Sequence, residues 1–431
     1  MRVAVIGTGY VGLVSGSCLA ELGHQVIGVD TDTQKIDRLR SGIMPIFEPG
    51  LEELVKRNVA AGRLQFTSSY AEAIPGAEVI SIAVGTPSMA DGSVDMQYIY
   101  SAAQSIAKHL TGYAVIADKS TVPVGTAEEV MRIVREAYAG ECDVVSNPEV
   151  LREGHAVQDF LHPSRIVIGS NVPRATEVIQ KLYSFISCEK IVMSVRSAEL
   201  TKYAANAFLA TKISFINEIA HLAEILGADI EEVAHGIGTD PRIGRDFLRA
   251  GLGWGGSCFP KDVRALQHIA NKHSHPLPIV SAALHMNDRA RTRIIDRLEQ
   301  ILKGLPDKTI AILGLSFKNN TDDTRESAAL DLIKQLNERG AKTHGYDPAA
   351  VIFDPNISTC LTRFPDPYQA LEHADAILIA TEWDEFRVLN FERIKGLMRG
   401  DVVMDGRNLL DPKVVRRTGL RYFGVGRGSN G

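Results

Sequence analysis

Cys258 lies in the stretch Gly251-Leu-Gly-Trp-Gly-Gly-Ser-Cys-Phe-Pro-Lys-Asp262, whose glycines let backbone amides crowd a ligand. Pro260 suits the first turn of a helix predicted to run through about Lys272, which puts the thiol just ahead of a helix N-terminus and beside Lys261. The helix dipole and the ammonium would both favour a thiolate. A free cysteine is by default a small buried hydrophobe, and Cys18, on a core-facing helix turn, fits that description. Cys142, Cys188 and Cys360 show no activating partner.

A second group opens the chain. Gly7, Gly9 and Gly12 fit the pattern G-x-G-x-x-G between the β-branched run Val3 to Ile6 and an amphipathic helix ending near Leu22. In that pattern the first glycine permits a tight turn and the second lets a pyrophosphate approach the backbone. The third packs helix on strand, and the helix N-terminus faces the negative charge. Asp30 ends the next strand, Gln25 to Asp30, where a carboxylate accepts bonds from ribose hydroxyls and repels the 2′-phosphate of NADP. NAD is therefore the expected cofactor. Lys35 stands either against the ribose or in solvent. Together, an NAD site and an activated thiol point to a particular chemistry. Oxidising an alcohol to a ketone needs no nucleophile, but taking an aldehyde to an acid proceeds through a thiohemiacetal and a thioester.

Lys202 and Asn206 stand one turn apart within Lys202-Tyr-Ala-Ala-Asn206-Ala-Phe-Leu209, placed to donate together to an oxyanion or to form a solvated stripe. Asp262 is either an orienter of water or of Lys202, or a first-turn helix acid. Lys318, Arg325 and Arg407 fall at strand–loop boundaries near the other end of the chain. If they converge they would neutralise a diphosphate. His273 and His275 offer no metal pattern, and no metal is expected.

The elements that must carry these groups are legible in outline. The runs Val79 to Val84, Ala114 to Ala117 and Val144-Val145 alternate with helical stretches, as in a doubly wound parallel sheet. Residues 198–226 contain no glycine or proline and read as one long helix, and helical texture continues to about Leu302. From Asp307 the αβ texture returns, with strands at Ile310 to Leu313 and Lys342 to Asp347 around a helix near 327–338. The two ends echo each other: VAVIG with IAILG, ELGHQVIGVD with ERGAKTHGYD, AEVISIAVGTP with ADAILIATEWD. The expected fold is α/β, with two Rossmann-like doubly wound domains flanking a helical middle domain built on a long central helix. The expected boundaries are 1–196 for NAD binding, 197–304 for the helical part and 305–431 for a second Rossmann-like domain. Its turn, Gly314-Leu-Ser-Phe-Lys318, lacks the second and third glycines, which argues against a second dinucleotide. The tail 426–431 is expected to be disordered.

The chain has 431 residues, 45% hydrophobic and 23% charged, an ordinary balance for a protein of two or three domains. A net charge of -5 leaves no basic footprint for nucleic acid. No apolar run approaches the ~20 residues needed to span a bilayer, and no signal peptide opens the sequence. Five scattered cysteines without a C-x-x-C pair suit a reducing cytoplasm.

The segments GGSCFPKD, ELTKYAANAFLATKISFINE and FKNNTDDTRES resemble the UDP-glucose/GDP-mannose dehydrogenase family, on its UDP-glucose 6-dehydrogenase side, and the likeness runs from GTGYVGL to DGRNLLD. The resemblance implies two successive hydride transfers to NAD, yielding UDP-glucuronate, with Cys258 as nucleophile. It places Lys202, Asn206, Thr121, Glu149 and Asp262 around it: Thr121 and Asp262 on a water, Lys202 and Asn206 on the oxyanion. For the cofactor it implies Tyr10 and Val11 in the glycine loop, Asp30, Lys35, Thr86, Thr121, Glu153, Lys261 and Arg325. For the sugar nucleotide it implies Glu149, Val150, Leu151, Arg152, Glu153, Lys202 and Asn206. The same list continues with Phe247, Leu248, Arg249, Ala250 and Gly251, then Gly255, Lys318 and Arg407. Arg242 matches an arginine that the family supplies from a neighbouring subunit, so a homodimer or larger homo-oligomer is expected. Val150, Trp254 and Asn319 depart from the pattern, where phenylalanine, phenylalanine and proline are common, and all three are expected beside the sugar pocket or its lid.

Other readings remain at this point. The same chemistry on another sugar nucleotide would fit. A two-electron hydroxyacid dehydrogenase would share the Rossmann and helical parts but would not require Cys258. An NAD-binding redox sensor would use the thiol without turnover.

Overall fold

A computed structural model describes residues 1–428. Two compact units are present, Met1–Ala205 with Arg264–His273, and Asn206–Val263 with Ser274 onward. The helical stretch 197–304 is divided between them.

The first unit is built on an eight-stranded sheet. Its strands are β1 (Arg2–Ile6), β2 (Gln25–Val29), β3 (Leu64–Thr67), β4 (Val79–Ile82), β5 (Ala114–Asp118), β6 (Cys142–Ser146), β7 (Arg165–Gly169) and β8 (Glu189–Met193). They lie in the order β3-β2-β1-β4-β5-β6-β7-β8. All neighbours are parallel except β6 and β7, which meet only at Ser146 and Gly169. The central strands are buried on both faces, as their continuous apolar runs require. The order reverses between β1 and β4, and in open α/β sheets that switch point is where ligands bind, beyond the C-terminal strand ends.

The second unit carries a six-stranded parallel sheet. It comprises β9 (Thr309–Leu313), β10 (Lys342–Tyr346), β11 (Leu361–Arg363), β12 (Ala376–Ile379), β13 (Val402–Asp405) and β14 (Arg421–Gly424) in the order β11-β10-β9-β12-β13-β14. This repeats the arrangement of β1 to β6. Its main core packs β9, β12 and β13 against the helices Ala328–Glu338 and Pro278–Leu302.

The long helix spans Val195–Leu226 and stops before Gly227, whose φ of 73° is a left-handed conformation that suits glycine. The cysteine segment leads into the helix Phe259–Lys272. The tail corrects one expectation. The Gly426 amide donates to Glu224 Oε1 at 2.8 Å, and Arg427 Nε lies 3.0 Å from Asp229 Oδ2, so residues 426–428 are fastened in place. The last three residues of that predicted tail lie outside the described residues. Among the described residues no helix is long and apolar enough to cross a membrane.

Candidate active site

In the first unit, Gly7 turns the chain out of β1 with φ of 96°, and a Cβ on Gly12 would stand 1.9 Å from the Gly7 carbonyl oxygen. Gly9 caps the helix Tyr10–Glu21 without a side-chain hydrogen bond, and a Cβ there would meet no protein atom within 4 Å. Protein packing therefore requires Gly12, whereas Gly9 borders open space in front of uncapped helix N–H groups. A pyrophosphate needs that arrangement.

Asp30 follows β2. Its Oδ2 accepts from the Thr8 amide (3.0 Å), the Thr8 hydroxyl (2.8 Å) and Lys35 Nζ (2.9 Å), while Oδ1 accepts from the Asp32 amide (3.0 Å). Burial pushes this carboxyl up, but the bonds from Lys35, Asp32 and Thr8 outweigh it and hold the group below the usual carboxylate range. The charge is thus fixed at the strand end, as a ribose diol requires, and Lys35 is its ion-pair partner. Val11 and Tyr10 are half-buried on the first helical turn.

Thr86 is buried beyond β4, and Thr121 is half-buried beyond β5. The turn after Thr121 is fixed by Glu199, which accepts from the amides of Gly125 (2.7 Å) and Ala127 (2.9 Å). Glu149 and Lys202 form a buried ion pair at 2.8 Å, and Glu149 also accepts from the Leu151 amide at 2.5 Å. A buried pair of this kind is costly to break, because the surviving charge is left uncompensated. Val150 and Leu151 are half-buried and Glu153 is buried, but Arg152 is exposed and grips Asp159 with two bonds, at 2.9 and 2.7 Å.

In the second unit, Cys258 is half-buried, and its carbonyl accepts the Asp262 amide at 2.9 Å, the first helical bond of Phe259–Lys272. Cys258 is thus the N-cap residue, as expected. The Ser257 hydroxyl stands 3.6 Å from its sulfur. Asp262 is fully buried and takes Asn206 Nδ2 at 2.6 Å on one oxygen and Lys261 Nζ at 2.5 Å on the other. The ammonium of Lys261, expected beside the thiol, thus has Asp262 as its ion-pair partner. Asn206 is buried rather than part of a solvated stripe.

Trp254 is held from several sides. It is buried, its indole donates to Ser214 Oγ at 3.0 Å, and Asn287 bonds its amide (2.7 Å) and its carbonyl (3.0 Å). Arg291 adds a bond to the same carbonyl at 2.8 Å. Trp254 therefore anchors the cysteine loop in the core. On the loop's other side, the Gly256 amide donates to the Arg325 carbonyl at 3.1 Å. A Cβ on Gly255 would lie 2.1 Å from the Glu326 oxygen. Arg407 reaches the Gly253 carbonyl at 3.2 Å, and a Cβ on Gly251 would crowd the Gly406 oxygen at 2.7 Å.

The basic residues thus converge only in part. Arg407 sits against the loop, and its NH2 also reaches the Phe317 carbonyl at 3.4 Å, next to Lys318. The Arg325 guanidinium instead grips Asp323, at 2.7–3.0 Å. Arg242 is exposed and grips Asp240 in the same way. In the segment 247–251, Leu248 and Ala250 are buried, Arg249 is exposed, and Phe247 holds a left-handed φ of 64°. Among the described residues no group of three or more His, Cys, Asp or Glu is placed to hold a metal.

The second Rossmann turn shows why it does not repeat the first. Asp347 matches Asp30 in position, but it is filled by its own chain. Its Oδ2 accepts from the amides of Leu315 (2.7 Å) and Ser316 (2.9 Å) and the Ser316 hydroxyl (2.9 Å). Its Oδ1 accepts from the amides of Ala349 (2.8 Å) and Ala350 (2.7 Å).

Comparison with family models matches the UDP-glucose/GDP-mannose dehydrogenase family in three consecutive parts. These are its NAD binding domain over residues 1–187, its central domain over 196–289 and its UDP binding domain over 311–412. The chain belongs to the UDP-glucose/GDP-mannose dehydrogenase family. The family's NAD binding part holds the glycine loop and Asp30, its central part Cys258, and its UDP binding part Lys318, Arg325 and Arg407. Relatives in this family include a UDP-glucose 6-dehydrogenase of Rhizobium meliloti, 48% identical over 99% of this chain and 100% of its own. The UDP-glucose 6-dehydrogenase TuaD of Bacillus subtilis is 46% identical over 99% of this chain and 93% of its own. The solved structure of a UDP-glucose dehydrogenase from Pyrobaculum islandicum superposes with a TM-score of 0.91 at 40% identity, covering 98% of this chain and 97% of the other.

Glu48, Glu199, Thr8 and the Asn287–Arg291 pair are the supports that sequence reasoning missed. Each works through a partner far away in the chain or through a backbone amide, which leaves no local pattern.

Proposed function

We propose that this family member oxidises C6 of UDP-glucose to the carboxylate of UDP-glucuronate in two NAD-dependent steps. The observation that carries this reading is Cys258 at the N-cap of Phe259–Lys272, alongside the Asn206–Asp262 pair. Bound NAD supplies the hydride acceptor twice, and the open face at Gly9 with the charged Asp30 fits its pyrophosphate and ribose.

The roles of the chain's own residues follow from their chemistry. In the first oxidation the substrate alcohol loses a proton and a hydride, and Thr121 and Asp262 hold the water that relays the proton. The Cys258 thiolate then adds to the aldehyde carbon, and the resulting oxyanion is met by donors from Lys202 and Asn206. Loss of a second hydride leaves a thioester on Cys258. Water displaces the sulfur, giving the carboxylate and restoring the thiol, with Glu149 placed to accept a proton. Lys318 and Arg407 would hold the diphosphate of the sugar nucleotide.

A homodimer completes the reading. On the long helix Phe208, Phe215 and Leu222 recur a heptad apart and are 66%, 48% and 49% exposed, an apolar stripe of the kind that pairs with a second helix. Arg242, 86% exposed at its side chain, would then serve the partner's substrate.

A panel of UDP- and GDP-sugars assayed for NADH formed per sugar consumed tests the whole reading. Two NADH per UDP-glucose is the expected result. One NADH per sugar would remove the thioester mechanism, and a preference for another sugar nucleotide would replace the substrate.

A further inference from the structure

Glu48 is a buried acid of the first unit that the mechanism does not use. Glu48 is 6% exposed, and no cation lies within ion-pair distance of it among the described residues. Its charge is met by hydrogen-bond donors alone. Oε1 accepts the Ala156 amide at 2.7 Å, and Oε2 accepts the Gly154 amide at 2.7 Å together with the Tyr10 hydroxyl. The Gly154 amide also reaches the Tyr10 oxygen at 3.0 Å.

Capping the turn at 154–156 would need only the carboxylate. The Tyr10 hydroxyl adds something that a cap does not require. Tyr10 is the first residue of the glycine-loop helix, and Gly154 directly follows the segment Glu149–Glu153. One carboxylate oxygen therefore ties the loop that faces a pyrophosphate to the loop proposed to hold the sugar nucleotide. Burial, then the hydrogen bond and charge of Glu48, keep the Tyr10 phenol protonated, so it remains a donor in this tie.

We propose that Glu48 and Tyr10 act as a positioning clamp through which occupancy of the pyrophosphate site stiffens residues 149–154 and raises affinity for the sugar nucleotide. The inference rests on the functional reading above. Its physical basis is that a loop already ordered by one ligand loses less conformational freedom when the second binds.

ADP-ribose is the suitable probe, because it carries the pyrophosphate but no nicotinamide, so it can neither accept hydride nor touch the sugar through that ring. The measurement is the dissociation constant of UDP-glucose by calorimetry, with and without saturating ADP-ribose. The expected result for the full-length protein is a tightening of about fivefold or more, the lower end of ordinary heterotropic coupling. Tyr10→Phe, which deletes one hydroxyl and leaves Glu48 bonded to Gly154 and Ala156, should bring that factor to within about twofold of unity, as should Glu48→Gln. A purely structural role would lower thermal stability but leave the factor alone. An undiminished factor in Tyr10→Phe, or no coupling in the parent protein, overturns the clamp while the functional reading stands. A parent protein that does not bind UDP-glucose at all overturns the functional reading, and the clamp with it.

Discussion

The Asn206 carboxamide donates to Asp262 Oδ2 at 2.6 Å, with both groups buried, and this bond sets which way the amide points. A carboxamide nitrogen carries two hydrogens, so the bond to Asp262 orients the second as a preset donor. An oxyanion donor is effective when it needs no reorganisation as charge develops. Asn206→Ala should therefore lower kcat about 10²–10³-fold with a smaller change in KM. Steady-state kinetics check this, and a variant that changed only KM would reassign Asn206 to substrate binding.

Asn206→Asp makes the complementary test. It would place two buried carboxyls against each other where an amide now donates to a carboxylate. A loss of activity at least as large as that of the alanine variant is expected, together with a lower Tm. If the Asn206→Asp enzyme were active and equally stable, the amide's second hydrogen would have no role.

Cys258→Ser should still bind NAD and form the aldehyde, yet make UDP-glucuronate ~10³-fold more slowly or worse. Rapid-quench product analysis separates the two steps. Acid production at the parent rate would remove the thioester.

Much of this was legible in the sequence because it is local. The β-branched runs at Val3, Val79, Ala114 and Ile310 announced strands to within a residue or two, and the glycine-free 198–226 announced the long helix. Cys258 was legible because Pro260 marked a helix start directly behind it. What stayed hidden depends on distant partners. Glu48 lies before Pro49-Gly50 and reads as part of a turn, since its partners at 154 and 156 are brought to it only by the fold. The ion pair of Lys261 with Asp262 was not legible either, since it needs the first turn of the helix to bring the two side chains together. The hold of Ser214 and Asn287 on Trp254 was equally hidden, because both lie more than thirty residues away in the chain. Asp347 has the sequence position of Asp30, and only its six internal bonds from 315, 316, 349, 350 and 383 show that it is already satisfied.

Asp30→Ala should weaken NAD binding by about tenfold or more, as expected for loss of hydrogen bonds to a charged group, and UDP-glucose binding far less. Separate titrations with each ligand test this. Equal losses for both would show that the variant has disturbed the Thr8 turn and not merely the ribose contact.

The heptad stripe on the long helix gives an oligomer test that needs no substrate. Phe215→Glu would bury a charge in any helix–helix seam formed there, so the mass measured by light scattering should fall toward that of one chain at low micromolar concentration. An unchanged mass would mean that the exposed phenylalanines serve no subunit contact.

Asp118, at the end of β5 and three residues before Thr121, carries a pH signature that can be worked out. Its carboxyl is fully buried, neither oxygen has a hydrogen-bond partner, and the nearby Ser120 amide donates to the Ile82 carbonyl instead. Burial first, and then the charge of Glu199, lift it well above the ordinary carboxylate value of 3.8. In the unfolded chain the same group loses its proton near that ordinary value. Above it the native state holds a proton that the unfolded state lacks, so unfolding becomes more favourable as pH rises. Below it both states are protonated and the effect disappears. Asp118→Asn removes the titration while keeping the shape. Any cost of burying the amide is the same at every pH, so the Tm of the variant minus that of the parent should climb as pH rises from about 4, until the native carboxyl itself ionises. Calorimetric scans across that range decide it: a difference that stays flat would show that Asp118 enters the folded protein without the extra proton.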